Sequence, residues 1–138
     1  PLAERLGLHF AAPSWPVMQL GLILVTLAPA GIVAWAALGE QRWWKDAAVC
    51  GLGGVFLANV FVPHIPAAIL AGGYSPGVLT AALVNLPFFP ILFRQGVLEG
   101  RLTARQAFSA ALIGALSLPL CIAGALALSR ILLGVVGE

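Results

Sequence analysis

Four long stretches of the chain are almost uncharged, and short polar connections separate them. The stretches cover residues 16–38, 47–70, 78–93 and 106–136. About 20 apolar residues are needed to cross a bilayer, and three of the four stretches reach that length. No stretch alternates with period two, so helices are the structure that satisfies the backbone in lipid. The pattern predicts an all-α polytopic membrane protein, a bundle of about four helices in a single membrane-embedded domain over residues 1–138.

The third stretch is the shortest of the four. Residues 78–93 extend only about 24 Å as a straight helix at 1.5 Å per residue. We nevertheless predict that this stretch spans, with Arg94 snorkelling to the interface or the bilayer thinning locally.

The composition agrees with a membrane protein. Hydrophobic residues make up 61% of the chain and charged residues 9%. A soluble domain of 138 residues leaves too much surface exposed to hide so much apolar area. The formal net charge of +2 is too small to indicate a nucleic-acid partner. The expected partners are membrane lipids and other membrane subunits or further copies of the chain.

The distribution of basic residues predicts an orientation. Residues 1–15 carry Leu2, Leu6 and Phe10 at intervals of four and are expected to lie in the interface. The connections 39–46 and 94–105 are predicted to be cytoplasmic, because basic residues favour that side. The basic residues of these two connections are Arg42, Lys45, Arg94, Arg101 and Arg105, against Arg5 and Arg130 on the opposite side.

Each predicted span contains an internal proline, and a proline bends a helix and frees the carbonyl four residues earlier. Two interpretations are open. Neighbouring groups can satisfy the freed carbonyls, as is common in membrane helices. Alternatively, the paired prolines of the second and third spans open a cavity between these spans. The prolines are Pro29, Pro63 with Pro66, Pro87 with Pro90, and Pro119.

Small residues recur on one face of the second and fourth spans. Such residues let helix backbones approach closely in lipid. We expect these faces to meet each other or a partner subunit. The helix-packing candidates are Gly54 and Ala58 in the second span, and Gly114, Ser117, Cys121 and Gly124 in the fourth. Cys50 and Cys121 are interpreted as small packing residues rather than a disulfide or metal pair.

Polar side chains concentrate at one place, which forms the candidate polar site: Asn59, His64, Tyr74 and Asn85. Two antiparallel helices joined by a 71–77 turn would bring His64 and Asn85 to the same depth. An intramembrane ionisable residue indicates function by default, but a histidine can also bond a carbonyl and hold a kink together. Because every carboxylate falls at an interface or terminus, the chain offers no acid/base pair and no complete metal site.

The sequence Asn59-Val60-Phe61-Val62-Pro63-His64, followed by Tyr74-Ser75-Pro76-Gly77, resembles the HXXEE family of small bacterial membrane proteins. The resemblance covers about residues 1–95 and implies a bacterial cytoplasmic membrane. The family is named for a His-x-x-Glu-Glu motif in its first helix, which these 138 residues do not contain. Either the chain starts just after the motif helix, or it is a divergent member that lost the motif. The resemblance implies that such a helix would place further ligands opposite His64.

Three functions from different classes are compatible with the sequence. The favoured hypothesis is a structural or accessory subunit of a larger membrane complex. The alternative is a membrane-embedded metal-dependent enzyme acting on a lipid-like substrate, with His64 as one metal ligand only if an upstream helix supplies the others. A carrier is the third, although four spans are few and no repeated half is present. The sequence itself specifies no cofactor and no catalytic residue.

Overall fold

The computed structural model describes residues 13–71, 79 and 81–134. In these ranges the chain forms helices and connections, with no strand, so the all-α prediction is confirmed. Within the described residues, three helices are long and apolar enough to cross a membrane: Trp15–Ala37, Trp43–Val62 and Ala104–Leu132. The expected interfacial segment up to residue 12, the 71–77 turn beyond residue 71 and Tyr74 lie outside the described residues.

The first helix, α1, runs from Trp15 to Ala37 and begins with Pro16 in its first turn, where a missing N–H costs nothing. Leu38 is extended, and Gly39 has a φ of 72°, a conformation that glycine adopts without strain. Helix α2 then begins at Trp43 and continues to Asn59. The first connection is therefore shorter than the predicted 39–46.

A π-helical turn over Val60–His64 follows α2 directly and leads into α3, Ile65–Ala71. In this turn the Ile65 N–H donates to the carbonyl of Val60, five residues earlier. The turn contains Pro63, which has no N–H to donate. The i→i+5 bond to Val60 replaces α-helical pairing beside the proline, at the point where the sequence predicted a kink.

A second π-helical turn, Ala81–Asn85, leads into α4, Leu86–Leu98. This helix continues five positions past the predicted end of the third span at Phe93, and Arg94 lies within it. The turn after α4 contains Gly100 with a φ of 67°. The last helix, α5, covers Ala104–Leu132 and starts with a capping box formed by Thr103 and Gln106.

Helices α2 and α5 form the centre of the bundle and share its most extensive contact. Helix α1 lies against α5 and α2, whereas α4 lies against α2 and more lightly against α5. A small core of Cys50, Leu102 and Ala107 closes one end, with the Cys50 thiol 3.5 Å from the Ala107 carbonyl oxygen. Both cysteines are free thiols.

Candidate functional site

The α2/α5 contact is made by backbone against backbone. A Cβ atom added to Gly54 would overlap the carbonyl group of Ala111, and one added to Gly114 would overlap that of Gly51. Gly54 and Gly114 are both buried. Glycine is required here because any side chain would force the helices apart. The two glycines that face backbone thus fix the distance between α2 and α5.

The structure divides the predicted packing residues into two groups. Gly54 and Gly114 lie in the backbone contact, and the Ser117 hydroxyl donates to the Gly114 carbonyl at 2.8 Å. Cys121 and Gly124, further along α5, are exposed, and nothing lies within 4 Å of a Cβ placed on Gly124. The close contact therefore ends partway along α5. Ala58 is half-buried on α2.

Sequence reasoning missed the residues opposite these glycines. Gly51 and Ala111 provide the carbonyls that Gly114 and Gly54 approach, and Gly53 places its α-carbon against the Phe89 ring. A Cβ on Gly53 would lie 2.6 Å from Phe89 Cδ2. The available signal was the density of glycine at positions 51, 53 and 54. These glycines allow close approach of two helices to α2, with α5 at Gly51 and Gly54 and α4 at Gly53.

Two of the predicted polar residues flank the first π-helical turn. Asn59 ends α2, His64 ends the turn, and both are half-buried. Asn85 ends the second π-helical turn, which contacts the first. The hydrogen bond recorded for Asn85 runs from Nδ2 to the Phe56 carbonyl at 3.5 Å. The fourth residue of the predicted site, Tyr74, falls outside the described ranges.

One recess of the bundle, which we call the α1–α2–α5 cavity, measures about 570 Å³. Its lining comes from residues 24–32 of α1, 52–59 of α2 and 118–128 of α5. Among its described lining residues, Asn59 carries the one amide side chain, Cys121 adds a thiol, and the others are apolar. The cavity lies beyond the close α2/α5 contact, where Gly124 leaves space unfilled. It is therefore bounded by the first, second and fourth predicted spans.

A second recess, the aromatic groove, lies on the opposite side of the α2/α5 pair. It measures about 410 Å³ and includes Phe89, Pro90 and Phe93 of α4 with Phe108 and Leu112 of α5. Leu57 of α2 also contributes to its lining. This groove separates part of α4 from α2 and α5, and Pro90 lies on its wall. Its lining includes residues of the second and third predicted spans, between which a cavity was one of the two interpretations.

Several charged residues gather at the end of the bundle where α2 and α5 begin, whereas Arg130 lies in the last turn of α5. Arg101 contacts Glu99 at 2.6 Å and Asp46 at 3.8 Å, so the α4–α5 connection touches the start of α2. Lys45 is buried, its ammonium group contacts the Leu38 carbonyl, and it lies 5.6 Å from the centroid of the Trp35 ring. The two connections predicted to be cytoplasmic therefore lie at one end of the bundle.

Metal ligation depends on His64 among the predicted site residues. Within the ranges that the structure describes, no three His, Cys, Asp or Glu side chains come together in a metal-binding group. One imidazole binds a transition metal weakly, so the described part of the site does not hold a metal by itself.

Among the described residues, the fold and site define an all-α membrane protein with a glycine-mediated central helix pair and two apolar recesses. A family model described as "Protein of unknown function with HXXEE motif" matches residues 5–92, well over half of the chain. The chain belongs to this family, as the resemblance predicted. No curated protein matches it. No solved structure matches it either. The family description gives no activity, so function has to be argued from this chain's own residues.

Proposed function

We propose that the protein is a structural or accessory subunit of a larger complex in the bacterial cytoplasmic membrane. The observation that carries the proposal is the aromatic groove beside a rigid central helix pair. The pair fixes its own spacing through Gly54 and Gly114, whereas Phe108 and Leu112 in the groove remain exposed among the described residues. A preformed, rigid surface of this kind suits the packing of a further membrane helix.

The groove offers contacts that are strong in lipid. Phe108 is 64% exposed and Leu112 is 49% exposed, one helical turn apart on α5. Aromatic and branched side chains bury much van der Waals surface when a partner helix fits between them. Lipid tails are as apolar as these side chains, so hydrophobicity does not favour a protein partner over lipid. A partner helix would be favoured by the close fit of its surface to the groove.

A matched pair of leucines tests this role. Leu112 lines the groove, whereas Leu116, 70% exposed and one turn further along α5, lines neither recess. The protein would be tagged at its native locus, extracted in mild detergent and separated by native electrophoresis. Wild type and Leu116→Ala should migrate in the same larger complex, and Leu112→Ala should shift to the monomer. Migration of the wild type as a monomer, or equal behaviour of both variants, would contradict the proposal.

The orientation forms part of the same proposal. We infer that the end carrying Lys45, Asp46, Glu99 and Arg101 faces the cytoplasm, since basic residues near span ends favour that side. In a background with Cys50 and Cys121 replaced by alanine, an impermeant maleimide should label Ser75→Cys from outside intact cells. Thr103→Cys should react only after permeabilisation, and the reverse result would invert the orientation.

The metal-dependent enzyme is a second candidate, favoured by membership in a family named for a His-x-x-Glu-Glu motif. In this hypothesis His64, half-buried at the π-helical turn, is one ligand and the remaining ligands come from outside the 138 residues. Metal analysis of the natural protein, purified without chelators, separates the candidates. A transition metal bound at one equivalent and lost in His64→Ala would favour the enzyme. Metal content equal to a His64→Ala control would remove His64 as a ligand.

A further inference from the structure

Two arginines flank the aromatic groove at the end of the bundle where α5 begins. Arg94 follows the groove residue Pro90 by four positions on α4. Arg105 precedes the groove residue Phe108 by three positions on α5. Residues three or four positions apart share a helix face, so the arginines continue the two walls of the groove beyond its apolar part. Both arginines are exposed.

The ion pairs found within the described part of the chain use other arginines. Arg105 also lies in the first turn of α5, where the helix dipole favours an acidic residue, and that turn contains none. The groove therefore ends in positive charge that an anionic group from outside the described residues would complement. The ion pairs of the described residues are Arg42–Glu40, Arg101–Glu99 and Arg101–Asp46.

We propose that the partner helix that fills the aromatic groove carries a carboxylate beside Arg94 and Arg105. The inference rests on the proposed role as an accessory subunit. Lipid phosphates can pair with the two guanidinium groups while the groove faces lipid. A helix packed in the groove displaces those lipids, and a guanidinium that loses both water and counter-charge is strongly destabilising. The partner therefore supplies the negative charge, and a carboxylate can accept two parallel hydrogen bonds from one guanidinium.

A second copy of this chain does not meet the requirement. Two copies that met groove to groove, about an axis along the membrane normal, would bring four arginines together, and like charges oppose association. The partner is therefore a different protein. The described acidic residues at this end already contact arginines of their own chain: Glu40 contacts Arg42, and both Asp46 and Glu99 contact Arg101.

Carbodiimide cross-linking tests for the carboxylate directly, because it joins an amine to a carboxylate in contact with it. Lys45 is the single lysine of the 138 residues and is buried, so Arg105→Lys adds a reactive amine at the groove. Membranes containing the protein with a lysine-free tag would be treated with the reagent. Arg105→Lys should give an adduct with a second, different protein. Wild type and Arg42→Lys, whose altered side chain lies beside Glu40, should give none.

The composition of the adduct decides the occupant. An adduct of two differently tagged copies would show self-association through the groove and overturn the proposal. Recovery of Arg105→Lys without added mass, or with only the mass of a phospholipid, would also overturn it, because the arginine then faces lipid.

Charge reversal separates this inference from the proposed accessory role. In the native electrophoresis described above, the fraction of Arg105→Glu in the larger complex should fall about tenfold or more, since like charges would meet across the contact. Arg42→Glu makes the same charge change at the same end and should stay in the complex, as should Arg105→Lys. Each variant must first reach the wild-type amount in membranes.

Two results would contradict the inference in different ways. If Leu112→Ala leaves the complex while Arg105→Glu remains in it, the partner helix is retained and its carboxylate is refuted. If the wild type itself migrates as a monomer, the accessory role and the acidic partner are refuted together.

Discussion

Replacing Gly114 with alanine tests the central helix contact directly. The added Cβ would lie 2.6 Å from the Gly51 carbonyl carbon and 2.9 Å from the Gly51 Cα, besides overlapping the carbonyl oxygen. Non-bonded carbon atoms are comfortable only at about 3.5–4.0 Å. Both neighbours are backbone atoms, which cannot rotate away as a side chain can. Helices α2 and α5 would have to separate by about 1 Å.

The expected loss follows from two opposing contributions. Overpacking a close contact costs about 1–3 kcal/mol, and a rigid backbone neighbour places this site at the upper end. Alanine in a helix interior recovers about 1 kcal/mol relative to glycine. The net prediction for Gly114→Ala is a decrease of about 2 kcal/mol in the free energy of unfolding. Gly124→Ala has no such neighbour within 4 Å and should leave stability unchanged or raise it slightly.

The unfolding free energy can be measured by titrating sodium dodecyl sulfate into mixed micelles and following helical circular dichroism. The double variant Gly54→Ala/Gly114→Ala should cost less than the two single variants together. One separation of the helices relieves both overlaps, and residues that share a contact are not additive. If Gly114→Ala proves as stable as Gly124→Ala, the backbone contact between α2 and α5 is not as described.

Three further substitutions distinguish kinds of contact, each measured by the same titration. Gly53→Ala should cost less than Gly114→Ala, because its neighbour is the edge of the Phe89 ring, which can shift; an equal loss would mean that the ring is fixed. Thr103→Ala removes the capping box at the start of α5 and should cost about 1 kcal/mol, whereas Thr103→Ser should keep most of it. Arg101→Ala breaks ion pairs of half-exposed groups and should cost under about 1 kcal/mol, falling further in high salt.

The sequence was sufficient for the membrane class and for where most helices lie. The length of an uncharged stretch and its lack of period-two alternation are properties of single segments. They can therefore be recognised without knowing the tertiary contacts between helices. The family could also be recognised from its short motif. The end of the third helix was harder to predict from the sequence, because the charge of Arg94 marks the end of the uncharged stretch but not the end of the helix. Its long side chain is compatible with a helix that continues to Leu98.

Helix rotation and register were beyond the sequence. The predicted small-residue stripe contains Gly114, Ser117, Cys121 and Gly124. Of these four, only Gly114 is among the buried residues of α5, which include Ala107, Ala111 and Leu118. Small residues on several faces of one helix give several equally good stripes, and only the partner's glycines select among them. The π-helical turns also escaped prediction, because a proline indicates where bonding must change but not which pairing replaces it.

The π-helical turn at Val60–His64 also divides one continuous helix into two parts that can vary separately. A π turn holds one residue more than the α-helix it interrupts, and each residue advances a helix by about 100°. Deleting a single residue here would therefore restore α-helical pairing and leave α3 facing nearly its present direction, with Gly51 and Gly54 still in place against α5. The turn therefore lets one residue be gained or lost beside His64, in evolution or design, without rebuilding the helices on either side.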